Sequence, residues 1–352
     1  MVSNPSPSAV PSAVPSAVLD AVPDAVSDAV PRPVTARNAL AMTDDRALCA
    51  LDVRLDYFEV QTRSGRGRGR LPVVMVKQVE SLNDDYRGYL GLTSYEGSAA
   101  FVGGGLARLR SGSSLTGVAH EERRELLAAL VAEAVDRAAQ TADAVLSPFL
   151  TATDLPAYLD AAPSATVREH GVWCTLEIGG AAGIEDFLQR LPAKRRRHWN
   201  RDIREADELG LEHDVAPFSD EVVAEAAVGI AGVSRRNGMN ESPEIVRWRI
   251  NNYRRRPGKH FFVRTRWRGN VIAHMLCRMF DDTMDAHTLG ILDTPGLDRG
   301  AVYHFGCLLG PLKAALDRGA HRLELGIGHD SPKLRRGCTG EDTYFADLLP
   351  VR

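Results

Sequence analysis

The 352-residue chain is short of the residues that staple or anchor a protein. Its five cysteines (Cys49, Cys174, Cys277, Cys307, Cys338) are odd in number, far apart and form no CxxC pair. That argues against a disulfide framework or a zinc site and suits a reducing cytoplasm. Cys338 follows a basic run, so it reads either as a reactive thiol or as an ordinary free cysteine. No stretch approaches the roughly 18 apolar residues of a membrane span, and no basic segment followed by an apolar run opens the chain, so no secretory signal is expected. A GxSxG elbow is missing, and nothing supports a Cys/His nucleophile.

What is present is an ordinary globular composition, 44% hydrophobic and 25% charged, with a net charge of −3 that hides an asymmetry. Residues 35–190 carry 16 Lys/Arg against 21 Asp/Glu, and residues 191–352 carry 26 against 22. Within 191–280 the balance is 18 against 11, and nine Lys/Arg with no acid lie between Arg247 and Arg268. Such a region suits an anionic partner.

Three segments are expected: a tail at 1–34, a folded unit at 35–190 and another at 191–352. Residues 7–30 are six tetrapeptides ending in Ala-Val, with prolines at a spacing that prevents helix and no large side chains to bury, hence a disordered tail. Ser64–Arg70 (SGRGRGR) is expected as a flexible loop. Strands are expected over Leu51–Gln61, Leu71–Glu80, Ala99–Val102, Val145–Leu150 and Gly171–Ile178, with an Ala-rich helix from His120 to about Ala142. Pro192 and Gly210 bracket a basic helix, Ser219 opens a second ending at Gly238, and Ser242-Pro243-Glu244 opens a third ending before Pro257. His260–Trp267 and Val271–Phe280 read as a hairpin and Thr283–Leu292 as a third strand. Val302–Arg318 reads as a helix and His321–Ile327 as the closing strand. Three antiparallel strands, a crossover helix and a further strand make an α/β (α+β) fold, and the same rhythm in both halves predicts two units, each a mixed sheet flanked by helices.

The segment order in 191–352 resembles the GNAT acyltransferase fold, and local patterns resemble its Fem-like branch. Leu191-Pro192-Ala193-Lys194-Arg195-Arg196-Arg197 through Arg201 and Arg204 to Gly210 is similar to the basic entry helix of that branch. Pro295-Gly296-Leu297 before the helix around Phe305–Leu316, and Leu323-Glu324-Leu325-Gly326-Ile327-Gly328-His329-Asp330-Ser331-Pro332-Lys333, are similar to its later elements. Tyr86-Arg87-Gly88-Tyr89 and Ser94-Tyr95-Glu96-Gly97 resemble its acceptor-side loop. The resemblance implies tandem GNAT-like units with the transfer centre in the second, and donors that are aminoacyl-tRNA in many members and acyl-CoA in others.

An acyl-CoA enzyme of this kind carries [Gln/Arg]-x-x-Gly-x-[Gly/Ala], whose main-chain N–H groups cradle pyrophosphate at a helix N-terminus. The corresponding Thr294–Val302 stretch has Gly296 and Gly300 but not the motif, and Asp298 opposes a phosphate. Aminoacyl-tRNA is therefore the expected donor, with no cofactor or metal, and a small-molecule amine, as in natural-product biosynthesis, the expected acceptor. The expected anion-binding set is Arg195, Arg196, Arg197, Arg201, Arg254, Arg255, Arg256, Arg335 and Arg336, with Trp199, Tyr253 and Trp267 interleaved; a solvated face has the same composition, and Trp248 and Phe262 read as core. The expected catalytic set is Lys333, placed at the sheet rim by the resemblance, with His287 and Asp330 as proton acceptors; His287 also reads as an ordinary strand histidine and Asp330 as a turn cap. Tyr89, Tyr95 and Glu96 are the acceptor-side candidates. An acyl-CoA-dependent N-acyltransferase and a non-catalytic RNA-binding protein on this fold are the alternatives.

Overall fold

The computed structural model describes residues 32–34, 53–61, 67–81, 87, 92–104, 113–239, 241–254 and 258–349. The first half of the chain runs β1 (Arg32–Val34), β2 (Val53–Gln61), β3 (Arg68–Val76), β4 (Ala99–Val102), β5 (Ser114–Thr116), α1 (Arg123–Ala138), β6 (Ala144–Thr151), α2 (Leu155–Ala161) and β7 (Thr166–Glu177). The second runs α3 (Ile184–Arg190), α4 (Ala193–Leu209), β8 (Leu211–Pro217), α5 (Asp220–Arg236), α6 (Pro243–Tyr253), β9 (Lys259–Trp267), β10 (Asn270–Phe280) and β11 (Thr283–Ile291). It continues with α7, β12 (Arg322–Gly326), α8 (Asp330–Arg335) and β13 (Thr339–Asp347). Helix α7 has an α segment (Arg299–His304), a π segment (Phe305–Leu309) and a second α segment (Gly310–Leu316). Pro311 has no N–H to give the preceding turn, and the π bond from Gly310 N–H to Phe305 O carries the helix past it.

One mixed sheet takes in all of these strands, in the order β1-β2-β3-β4-β6-β13-β7-β12-β11-β10-β9-β8, with β5 beside β3. The two halves repeat one scheme. In the first, antiparallel β2, β3 and β4 lead through α1 to β6, which is parallel to β4. In the second, antiparallel β9, β10 and β11 lead through α7 to β12, which is parallel to β11. Each half then gives its next strand away: β7 pairs with β12, β13 pairs with β6, and the two pair with each other at the centre.

Side-chain alternation assigns the two faces. On one face, α1 and α2 cover the first half through Leu127, Leu130, Val145 and Ala346. On the same face α3, α4 and α7 cover the second through Trp199, Ala286, Leu312 and Leu323. On the other, α5 and α6 cover β9 and β10 through Ala227, Ile250, Phe262 and Leu276, while the first half is covered by the chain around Val79 and Leu92 over Leu146 and Phe345. Glycines let α5 lie directly on β11: a Cβ built on Gly290 would stand 2.7 Å from the Ile230 nitrogen.

Ends of elements agree well with the sequence punctuation. Gly210 closes α4 in the left-handed region, and the Ser219 hydroxyl accepts from Val222 N–H to cap α5. Other expectations need correction. Arg68–Arg70 belong to β3 rather than to a loop, because Gly and Arg alternate with the period of a strand; Gly69 points at Leu130 of α1, leaving no room for a side chain. Residues 64–66 lie outside the described residues, as does the expected tail apart from Arg32–Val34, which pair with β2. β12 is not the closing strand, since β13 follows it. Trp248 is 41% exposed and not core, whereas Phe262 is fully buried. No helix among the described residues is long and apolar enough to cross a membrane.

Candidate functional site

The parallel pair β11–β12 is bonded over only three rungs, Thr283/Arg322, Met284/Leu323 and Asp285/Glu324. Immediately beyond the last rung both strands bulge. On β11, Leu276 and Cys277 of β10 face Thr288 and Ala286, so His287 is the extra residue. On β12, Thr175 and Cys174 of β7 face Glu324 and Gly326, so Leu325 is the extra residue. A bulge bends its strand and ends regular pairing. Two of them at one level part the strands, so the second half of β11 is bonded to β10 alone.

Lys333 holds one lip of this opening. Its ammonium donates to the Leu325 carbonyl at 2.9 Å and to the Gly326 carbonyl at 3.1 Å, from a side chain only 2% exposed. It is therefore not at an open rim, as the sequence suggested; the turn through α8 folds it back under the β12 bulge. Around it lie Cys174, Cys307 and Cys338, all buried. Burial pushes the Cys174 thiol up to about 11 and Cys338 to about 12, and raises Cys307 and Cys277, so none of these four is a ready thiolate. For Cys338 the ordinary buried cysteine is the reading the geometry supports.

On the other lip, the His287 ring stacks on Tyr253 of α6, with centroids 4.1 Å apart and planes 13° off parallel. The Tyr253 hydroxyl donates to Asp285 Oδ2 at 2.7 Å, and the Arg278 guanidinium stands 3.5 Å from the same oxygen. Arg278, Asp285 and Glu324 are all less than a tenth exposed, which makes this a buried polar centre beside the parting strands. Sequence reading took Tyr253 for a stacking or packing residue of the basic tract and gave Asp285 no role; the Asp-x-His spacing on one strand face was the available signal.

Asp330 lies in the first turn of α8 with one carboxylate oxygen buried and without a partner among the described residues. Beside it His329 has a left-handed backbone (φ 51°) and its ring is 5.3 Å from that of Tyr303, whose hydroxyl is held protonated by burial. A side chain other than glycine in that region stores strain of roughly 1 kcal/mol or more. At the N-terminus of α7, where a pyrophosphate would need main-chain donors, the Asp298 carboxylate itself accepts from Ala301 N–H at 2.8 Å.

The basic residues do not form one surface. Arg195, Arg197 and Arg201 are exposed and Arg196 half-buried on α4. An open groove of about 800 Å³ runs along Lys194, Arg197, Arg201 and Arg204. Exposed Arg335 of α8 is within electrostatic reach of His198 on α4. Arg336 is a correction. Only 1% exposed, it binds both oxygens of buried Asp202 and donates to Pro332 O at 2.9 Å, so it is a structural ion pair not offered to phosphate. Arg254 lies on the opposite face of the sheet, its guanidinium 5.2 Å from the Phe218 ring centre; Arg255 and Arg256 are outside the described residues. Trp199 is fully buried and donates to the Arg336 carbonyl at 2.8 Å. Asp202, Glu205 and His304 bring three donor atoms within 4.8 Å of one another, but the Arg336 charge on Asp202 opposes a metal there.

Of the three acceptor candidates, half-buried Tyr95 donates to Asp347 Oδ2 at 2.8 Å, Glu96 is exposed, and Tyr89 lies outside the described residues.

Among solved structures the chain is similar to FemX, with a TM-score of 0.52 and 12% identity over 85% of this chain and 88% of that one. The chain has a GNAT-type fold. The C-terminal domain (DUF2156) of a putative lysylphosphatidylglycerol synthetase from Agrobacterium fabrum superposes at 0.49, with 10% identity and 84% of each chain covered. A tandem GNAT protein from the clavulanic acid biosynthesis pathway, without AcCoA, does so at 0.47, with 13% identity and 85% of each covered. No family model matches the chain, and no curated protein matches it. At such identities the likeness is one of fold.

Proposed function

We propose that the protein is an acyltransferase that builds an amide on an amine acceptor, taking an aminoacyl group from aminoacyl-tRNA. The observation that carries the acyl-transfer part is the parting of β11 and β12 at paired bulges, where half-buried His287 stacks on buried Tyr253 and Tyr253 bonds buried Asp285. Such an opening admits an extended acyl carrier between two strands, and a histidine at its edge can take the proton that the attacking amine sheds. The amine nitrogen bonds to the ester carbonyl carbon, the bond to the ribose oxygen breaks, and a proton returns to that oxygen. No protein nucleophile is needed because the ester is already activated. The raised thiol pKa values and the engaged Lys333 agree with direct transfer. Lys333 holds the shape of the slot, and Asp330, at the start of the same helix, is the second candidate proton acceptor.

The donor assignment rests on the α7 N-terminus, where Asp298 both occupies a main-chain donor and repels phosphate. It rests equally on the exposed arginines of α4 with Arg335, a surface suited to tRNA phosphates. The test is to offer labelled aminoacyl-tRNAs and acetyl-CoA in parallel with a panel of amines. Consumption of aminoacyl-tRNA, abolished by RNase, is the expected result. Turnover of acetyl-CoA without RNA would replace this donor, and tRNA binding with no transfer to any amine would leave an RNA-binding protein on this fold.

A further inference from the structure

The first half of the sheet carries a charged group that the proposed chemistry does not use. Asp347 ends β13, where alternation puts it on the same face as Phe345. It is 8% exposed. Its Oδ2 accepts from the Tyr95 hydroxyl, 2.8 Å away; the Leu349 N–H also approaches the carboxylate, but Oδ1 makes no well-formed hydrogen bond among the described residues. Among the described residues no Lys, Arg or His forms an ion pair with it; the guanidinium of Arg168, opposite Phe345 on β7, stands over the Phe345 ring, 4.1 Å from its centre. The side chains packed on this face are apolar and aromatic: Leu92, Phe149 and Phe345, with the partly buried Tyr95 ring 6.5 Å from Phe345. Burial raises the Asp347 pKa, and the hydrogen bonds from Tyr95 and the Leu349 N–H work against that rise.

An acid so deeply buried, half satisfied and without a counter-charge, is costly to keep unless something completes it. The surroundings specify the completing group. A lone carboxylate oxygen asks for a donor, a single negative charge for a cation, and aromatic rings tolerate an ammonium far better than an anion. We propose that Asp347, oriented by Tyr95, anchors a protonated amine on the acceptor, with the carbon skeleton beside the partly buried Tyr95 ring. The inference deepens the acyl-transfer reading and rests on it: the acceptor is then a diamine or amino compound, one nitrogen held here as a cation and another, unprotonated, free to react. A one-amine acceptor would have its only nucleophile tied up as an ammonium.

The test needs no donor, so it fails or succeeds apart from the transfer assay. Binding of 1,5-diaminopentane and of 2-phenylethylamine to the full chain is measured by calorimetry at pH 7.5, with 1,5-pentanediol and 2-phenylethanol as uncharged counterparts. The amines are expected to bind and the alcohols to bind more weakly. Asp347→Asn keeps the shape and the Tyr95 contact, and should lower amine affinity on the order of 10-fold to 100-fold while leaving alcohol binding unchanged. Tyr95→Phe keeps the charge and loses its orientation; it should weaken amine binding by a smaller factor and gives the answer if Asp347→Asn does not fold. Wild-type protein that binds no amine, amine affinity untouched by either change, or amines and alcohols weakened alike would each overturn the proposal. Aminoacyl transfer that persists in the face of such a result would leave the transferase reading standing.

Discussion

Replacing Lys333 with Met separates two roles that a lysine near a transfer site can have. The ammonium is 2% exposed and shared between the Leu325 and Gly326 carbonyls, at 2.9 and 3.1 Å. Methionine keeps much of the stem and leaves both oxygens buried without that donor, at about 1–3 kcal/mol for each. Relief from desolvating the charge offsets part of this, so the net loss is about 2–4 kcal/mol. Against a total stability of about 5–15 kcal/mol that is large. It corresponds to a fall in melting temperature of about 5–15 °C at roughly 2–4 °C per kcal/mol. Because these carbonyls sit at the β12 bulge, the opening beside β11 should also relax. Single-turnover transfer at saturating donor, measured well below the melting point, should therefore fall together with stability. Urea unfolding within about 1 kcal/mol of wild type would refute the structural role; a lost chemical rate at that unchanged stability would return Lys333 to the chemistry itself.

Three further perturbations follow from the same contacts. Gly290→Ala drives a methyl to 2.7 Å from the Ile230 nitrogen, and should cost about 1–3 kcal/mol in urea unfolding by lifting α5 off β11; an unchanged midpoint would mean that the helix moves freely. Asp202→Ala strands the buried Arg336 guanidinium and should cost about 3–5 kcal/mol, whereas Arg197→Ala on the exposed side of the same helix should change stability by less than about 1 kcal/mol; equal effects would contradict the burial. His274 is 1% exposed, and burial holds its pKa below the usual 6.5 despite Glu225 at 3.5 Å, with Asp214 and Arg264 also within reach. The unfolded chain then binds more protons than the folded one, so stability is complete above pH 6.5 and declines as pH falls from there through the folded pKa. Melting curves from pH 8 to 5 should show this, with a shallower decline in His274→Gln.

How much of this was readable beforehand divides by the range of the forces involved. Ends of α4 and α5, and the β9–β10–β11 meander, rest on local chemistry: a glycine that accepts positive φ, a serine cap, alternating apolar residues. Those were legible. Strand β8 was not, because Leu211–Pro217 alternates weakly and joins the sheet only as the neighbour of β9. Nor was β13, where Thr339–Asp342 is polar and the strand exists because β6 and β7 bond it on both sides. In the candidate site His287 was found as a residue type but not as a bulge, which is a property of register between strands. Arg336 shows the converse limit. In sequence it continues a basic run with Arg335, yet the helical turn points one to solvent and the other at Asp202, 134 residues away.

The exchange of β7 and β13 makes a last claim about how the chain holds together. A boundary near residue 190 divides the sequence into halves of matching rhythm, but β7 of the first is bonded on one edge to β12 of the second, and β13 of the second fills the space between β6 and β7. Neither half can complete its sheet alone: residues 1–190 would expose open edges on β6 and β7, and residues 191–352 an open edge on β12. Unpaired edges of this kind favour aggregation. The full chain should therefore unfold in one transition, seen identically by tryptophan fluorescence, where Trp199, Trp248 and Trp267 lie in the second half and Trp173 on the exchanged β7, and by proteolysis within α1. Deleting residues 339–352 should abolish that transition for both reporters, because it removes the central strand rather than an appendage. Two resolved transitions in the full chain, or a monomeric and protease-resistant 1–190 fragment, would show that each half carries a sufficient core and that the exchanged strands only join them.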